Sequence, residues 1–130
     1  MEILELLSYM QPIENQRLGI ELALKEADLS ILLEKAEDPE CSENIAKIFT
    51  SLEYAECKKY FDELFSWIED INTPGAVIVF DYLTKAPGAL IYESFIKAYE
   101  AAKKRRNTEM QYTLIRLKEQ NYSLKEFIGE

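Results

Sequence analysis

The sequence predicts an all-α protein, and three observations carry that prediction. Apolar side chains recur at helical spacing along nearly the whole chain. Only four Gly and four Pro occur in 130 residues, so helix breakers are few, and collagen-like and low-complexity classes are excluded. Hydrophobic residues make up 48% of the chain, enough for a folded core despite the charge. A length of 130 residues suits one domain, so 1–130 is expected to form a single helical domain.

Each element has its own local signal. Ile3, Leu6, Leu7 and Met10 form a first short stripe, closed by Pro12. Leu18, Leu22 and Ala23 continue after it, with Gly19 as a weak point for a helix. Asp28 is placed as N-cap ahead of Leu29, Leu32, Leu33 and Ala36. Pro39 ends that helix, because proline disfavours helical geometry in the residue before it. Ser42 is placed to cap a helix carrying Ile45, Ile48, Phe49 and Leu52. Ser51 is placed to cap the longest one, whose stripe is Cys57, Tyr60, Phe61, Leu64, Phe65, Ile68 and Ile71.

Thr73 reads as the next N-cap, with Pro74 at the first helical position. The following run, Ala76 to Phe80, is β-branched enough to read as a buried strand. A lone strand in a helical chain has no partner, so a buried helix is expected. Pro87 and Gly88 open a helix carrying Leu90, Ile91, Phe95, Ala98, Tyr99 and Ala102. Thr108 caps a last full helix with Met110, Leu114 and Leu117, and a short tail from Ser123 to Ile128 closes the chain. Short connections favour antiparallel neighbours. Helix pairs of roughly 30–40 residues in series describe a short HEAT-like α-solenoid. No strict internal repeat is present, so a compact irregular helical bundle is the alternative architecture.

Histidine is absent, which removes the commonest general base and metal ligand together. Ser-His-Asp and Cys-His hydrolases are thereby excluded. Cys41 and Cys57 are too isolated for a zinc site and are expected to stay reduced. Neither G-x-x-x-x-G-K nor G-x-G-x-x-G occurs. No catalytic, cofactor-binding or metal-binding residues are expected, and the chain is read as a non-enzyme. A carboxylate-pair hydrolase using a divalent ion is a distant third possibility, without a D-x-D motif or an EF-hand loop to support it. No apolar run reaches about 18 residues, and MEILELLSYM lacks the basic start of a secretory signal. The expected location is the cytoplasm, with no membrane partner.

With 24 acidic and 15 basic residues the formal net charge is −9. Residues 1–96 hold 19 acidic and 7 basic groups, a net of −12, whereas residues 97–130 net +3. The run Lys103-Lys104-Arg105-Arg106 sits where cations complement a helix dipole. Direct nucleic-acid binding is not expected, since so acidic a body repels phosphate. Acidic residues gather between Glu34 and Glu43, and again along the helix from Glu53 to Asp70. As a solvated face they confer solubility. As a functional face they steer a basic partner into contact. Trp67 reads as a core anchor, with Asp70 and Asn72 bonding backbone amides at the turn. Tyr60 and Tyr99 lie on apolar faces, whereas Tyr54, Tyr82, Tyr92 and Tyr112 fall off the main stripes and are expected at the surface.

The string LFSWIEDINTPGAVIVFDYL, from Leu64 to Leu83, resembles a pattern of small acidic helical bacterial proteins. That pattern reads L-L-x-W-L-x-D-L-N-W-P-G-A followed by an apolar helix. Glu43-Asn44-Ile45-Ala46-Lys47-Ile48 resembles the same family's W-E-N-C-A-K-I, and the Gly19-Ile20 pair ahead of an acidic helix fits its opening. Ser42 stands where the family has its first Trp, Ile45 where it has Cys, and Thr73 where it has a second Trp. The resemblance spans Gly19 to Leu83 and implies a HEAT-like immunity protein of contact-dependent or polymorphic toxin systems. Such a protein is a stoichiometric inhibitor of a cognate toxin domain. A basic nuclease is the expected toxin, with Glu37, Asp38, Glu40, Glu43, Glu63, Glu69 and Asp70 as the partner-binding pool. A helical-repeat adaptor unrelated to toxins is the alternative, and the sequence sets no oligomeric state.

Overall fold

Helical periodicity becomes helix wherever backbone amides find acceptors at the start of a run. The computed structural model describes residues 2–129, and every regular element in that range is helical. The order is α1 (Ile3–Leu6), α2 (Ile13–Leu24), α3 (Ser30–Leu33), α4 (Ser42–Thr50), α5 (Tyr54–Cys57), a 3-10 turn (Lys58–Tyr60), α6 (Phe61–Trp67), α7 (Ala76–Thr84), α8 (Gly88–Lys104), α9 (Thr108–Gln120) and α10 (Tyr122–Ile128). The ambiguous run from Ala76 is α7, a helix as expected.

Several starts differ from the local signals. Asp28 accepts from the Ser30 amide at 2.9 Å and from its hydroxyl at 2.6 Å, which holds the entry to α3. Those two bonds keep the Asp28 carboxyl below its ordinary range. Asn107, rather than Thr108, caps α9 by accepting from the Met110 amide at 3.0 Å. Asn121 caps α10 in the same way, accepting from Leu124 at 2.9 Å. Ser51 donates back to the Ile48 carbonyl, so it closes α4 instead of opening a helix. Thr73 caps nothing: its carbonyl takes the Ala76 amide, and Pro74 lies in the turn before α7.

The stripe expected from Cys57 to Ile71 is buried as far as Ile68, Ile71 is half-buried in the turn after α6, and the helix beneath the stripe is not continuous. The 3-10 turn at Lys58–Tyr60 separates α5 from α6, tightening the backbone and changing its phase. Within that turn Tyr60 is placed so that its hydroxyl accepts the Leu29 amide at 2.9 Å. Its ring meets Phe49 edge-on at 5.0 Å. Gly19, suspect as a helix breaker, is instead the contact point of α1 and α2. A Cβ there would lie 2.8 Å from the Leu6 Cβ.

Packing runs from α1 and α2 through α4 and α7 to α9, with α6 against α8 and α10 closing on α8 and α9. Consecutive helices pair at both ends, α1 with α2 and α8 with α9, whereas α4 pairs with α7 across the intervening segment. One continuous set of buried side chains extends from Leu7 to Leu124, with Phe49, Phe61 and Phe65 its largest fully buried members. Cys41 and Cys57 are free thiols within it, and burial pushes the Cys57 thiol up to about 11. Among the described residues no helix is long and apolar enough to cross a membrane.

Candidate protein-binding surface

The acidic segment after α3 is a chain of tight turns anchored from beneath. Leu32, Ala36 and Cys41 point into the core, which leaves Glu34, Glu37 and Glu40 outside. Asp38 closes the segment: its carboxylate accepts the Glu40 amide at 3.0 Å, and its carbonyl accepts the Cys41 and Ser42 amides. On α6 the same division holds, with Leu64 and Phe65 inward and Asp62, Glu63 and Ser66 outward. The two elements meet over a hollow of about 240 Å³ lined by Leu33, Glu34, Ala36, Glu37, Glu63, Ser66 and Trp67. Glu37 and Glu63, far apart in sequence, therefore share one rim, and Glu34 joins them.

The rest of the expected pool is dispersed. Glu40 accepts from the Ser8 hydroxyl at 2.9 Å, and its carbonyl takes the Tyr9 amide. Glu43 pairs with Lys47 along α4 at 3.6 Å with both side chains exposed, a contact worth little in water. Glu69 is held by Arg105 at 2.9 Å and Asn107 at 2.8 Å. Asp70 accepts the Asn72 amide at 3.1 Å, the turn role expected for it. By contrast, among the described residues the side chains of Glu34, Glu37 and Glu63 make no hydrogen bond or salt bridge.

The motif strings that carry the family resemblance touch one another. Ser42, at the start of α4, is buried and does not cap it; its hydroxyl accepts the Gly75 amide at 2.9 Å. A Cβ on Gly75 would lie 2.6 Å from the Ser42 carbonyl oxygen and 2.6 Å from Trp67 Cζ2. Only glycine fits there, so the Pro-Gly-Ala turn owes its glycine to tertiary packing. Asn44, also buried, donates to the Leu7 carbonyl at 2.8 Å and to Gln16 at 2.9 Å, tying α4 to the first two helices. These residues build scaffold.

Two features lay beyond the sequence patterns. Tyr9, Met10 and Ile13 are apolar residues left 62%, 72% and 55% exposed, and the Tyr9 amide bonds the Glu40 carbonyl. Met10 was expected on the first core stripe, but α1 ends at Leu6 and the chain turns before reaching it. The early Pro12 is the signal that the stripe is too short to stay in phase. Tyr82, expected at the surface, is buried against Tyr54 with ring centroids 4.4 Å apart. Its hydroxyl donates to the Leu52 carbonyl at 2.9 Å. Tyr112 is exposed as expected.

Among the described residues no cluster of His, Cys, Asp or Glu is arranged to hold a metal ion. The hollow sets Glu34, Glu37 and Glu63 beside the apolar side chains of Leu33 and Ala36. No protein-family model, curated protein or solved structure matches the chain.

Proposed function

We propose that this chain is an immunity protein, a non-enzymatic stoichiometric inhibitor that binds and neutralises a cognate toxin domain in the cytoplasm. The observation that carries the proposal is the shared rim of Glu34, Glu37 and Glu63, three carboxylates from two elements whose side chains make no hydrogen bond or salt bridge among the described residues. Unpaired like charges held together repel one another, and a cationic surface relieves that repulsion. A basic nuclease, whose substrate groove must be positive, is the toxin class that fits. Occlusion of its phosphate-binding cations is the mechanism. The W-x-x-D-x-N-x-P-G-A resemblance points the same way, with the motif as scaffold and the acidic surface as the contact.

The scaffold in this proposal is a short HEAT-like array, supported by the α1–α2 and α8–α9 pairs at its ends. A tight complex of standard size buries about 800 Å² on each partner, about a tenth of the 7756 Å² this chain exposes. Co-expression with the C-terminal toxin domain encoded immediately upstream tests the function. Cell survival with a one-to-one complex on co-purification is the expected result. A domain that is harmless alone, or that kills despite this protein, overturns it and leaves the helical-repeat adaptor as the better account.

A further inference from the structure

Helix α9 buries Met110, Leu114 and Leu117 in the core, which turns Tyr112 and Ile115 outward, 65% and 42% exposed. Three residues apart on one helix, these two apolar side chains share a face. Glu109 and Arg116 border it, both exposed. They lie seven residues apart, about two turns and about 10 Å along the axis. Charges on one helix pair at spacings of three or four, so these two are out of each other's reach. Neither side chain makes a hydrogen bond or salt bridge among the described residues. Glu119, on the same face, is already held by Lys125 at 2.8 Å. Arg116 is held in place by rings instead. Its guanidinium lies 5.4 Å from the ring centre of Phe80 on α7 and 6.0 Å from that of Tyr112, within cation–π range.

We propose that this face docks a second copy of the chain, α9 against α9 and antiparallel, about a two-fold axis level with the Tyr112–Thr113 step. Such an axis sets Glu109 opposite the partner's Arg116 and Arg116 opposite the partner's Glu109, with the exposed Tyr112 side chains at the centre. One surface serves both copies, as a closed symmetric pair requires. A parallel pairing sets each charge against its own like, so the order of charges along α9 selects the antiparallel direction. Residues 97–130 net +3 against −12 for residues 1–96, so repulsion between copies of this acidic chain is weaker here than in the rest of it. A face one helix wide lies at the low end of interface sizes, which makes the dimer a weak one.

Sedimentation equilibrium of the purified chain tests the proposal, over a hundred-fold range of concentration reaching about 500 µM. The average mass should rise from 15.1 kDa toward twice that value. Glu109→Arg and Arg116→Glu each place like charges opposite one another, and each should weaken the dimer about ten-fold or more. Mixed one to one, the two variants complement each other again. Their heterodimer should form within about three-fold of the wild-type affinity. The doubly swapped Glu109→Arg/Arg116→Glu, which restores both pairs within one chain, should dimerise like wild type. Circular dichroism checks that every variant folds. A wild-type chain that stays monomeric throughout overturns the proposal and leaves the face to an unlike protein. Single variants that dimerise as well as wild type, or a mixture that stays monomeric, overturn it too. No toxin enters this measurement, so the dimer and the immunity function stand or fall separately.

Discussion

Arg106 is the one residue other than glycine with positive φ among those described, at 57°. It follows the end of α8, where its amide bonds Lys103 and the Asn107 amide reaches back to Ala102 at 2.8 Å. That pair of bonds is the helix-ending arrangement in which a left-handed residue is usually glycine. An L side chain there costs about 1 kcal/mol in backbone strain. Arg106→Gly is therefore expected to raise stability by about 0.5–1 kcal/mol, partly offset by the extra freedom glycine has when unfolded. A urea titration measures it, and an unchanged or lowered midpoint would show that the Arg106 side chain compensates for its backbone. Its neighbours are engaged: Arg105 reaches Glu69 at 2.9 Å, and Lys103 sits 5.8 Å from the Tyr99 ring centre. The basic run thus behaves as a helix terminus.

Between elements, the α6–α8 contact has a pH-sensitive clasp. Asp62 accepts from Lys97 at 2.8 Å and from the Ser94 hydroxyl at 2.7 Å. Those bonds, that of Lys97 first, hold its carboxyl below the ordinary 3.8. A carboxyl whose folded pKa is depressed contributes stability above its unfolded pKa and loses it as pH falls through the folded value. Wild type should therefore melt above Asp62→Asn at pH near 7, with the gap closing as pH falls through the lowered folded value. The gap should be small because both partners are well exposed, and a gap that persists unchanged in acid would assign it to shape instead of charge. The same scale shows what the sequence disclosed. The stripes of α8 and α9 appear at their expected places because long periodic runs fix both the face and the existence of a helix. The stripe from Cys57 to Ile68 disclosed its buried face but not its break, since apolar spacing reports which side chains face the core and not which carbonyl each amide bonds. Ser42 has the local signature of a cap, yet its hydroxyl serves Gly75 across 33 positions. Likewise, Glu40 and Glu69 resembled Glu37 and Glu63 in sequence. What separates them is Ser8, Arg105 and Asn107, partners that only folding brings near.

At the scale of the whole molecule the question is which charge a partner feels. A chain of this length has a radius of gyration of about 14 Å, shorter than the roughly 30 Å Debye length at about 0.01 M salt. Under those conditions the full −9 acts as one body. At about 0.15 M the screening length shrinks to about 8 Å, and only charges facing the partner count. Two triple reversals, each moving the formal charge from −9 to −3, separate the two regimes. One is Glu34→Lys/Glu37→Lys/Glu63→Lys at the hollow, the other Glu5→Lys/Glu14→Lys/Glu21→Lys on α1 and α2. At about 0.01 M salt both should slow association with a basic toxin domain to a similar degree. At about 0.15 M the hollow variant should remain about ten-fold slower than wild type while the other recovers. Stopped-flow association rates at the two salt concentrations decide it. Equal slowing at the higher salt would mean that net charge alone recruits the partner and that the acidic rim has no privileged place in the encounter.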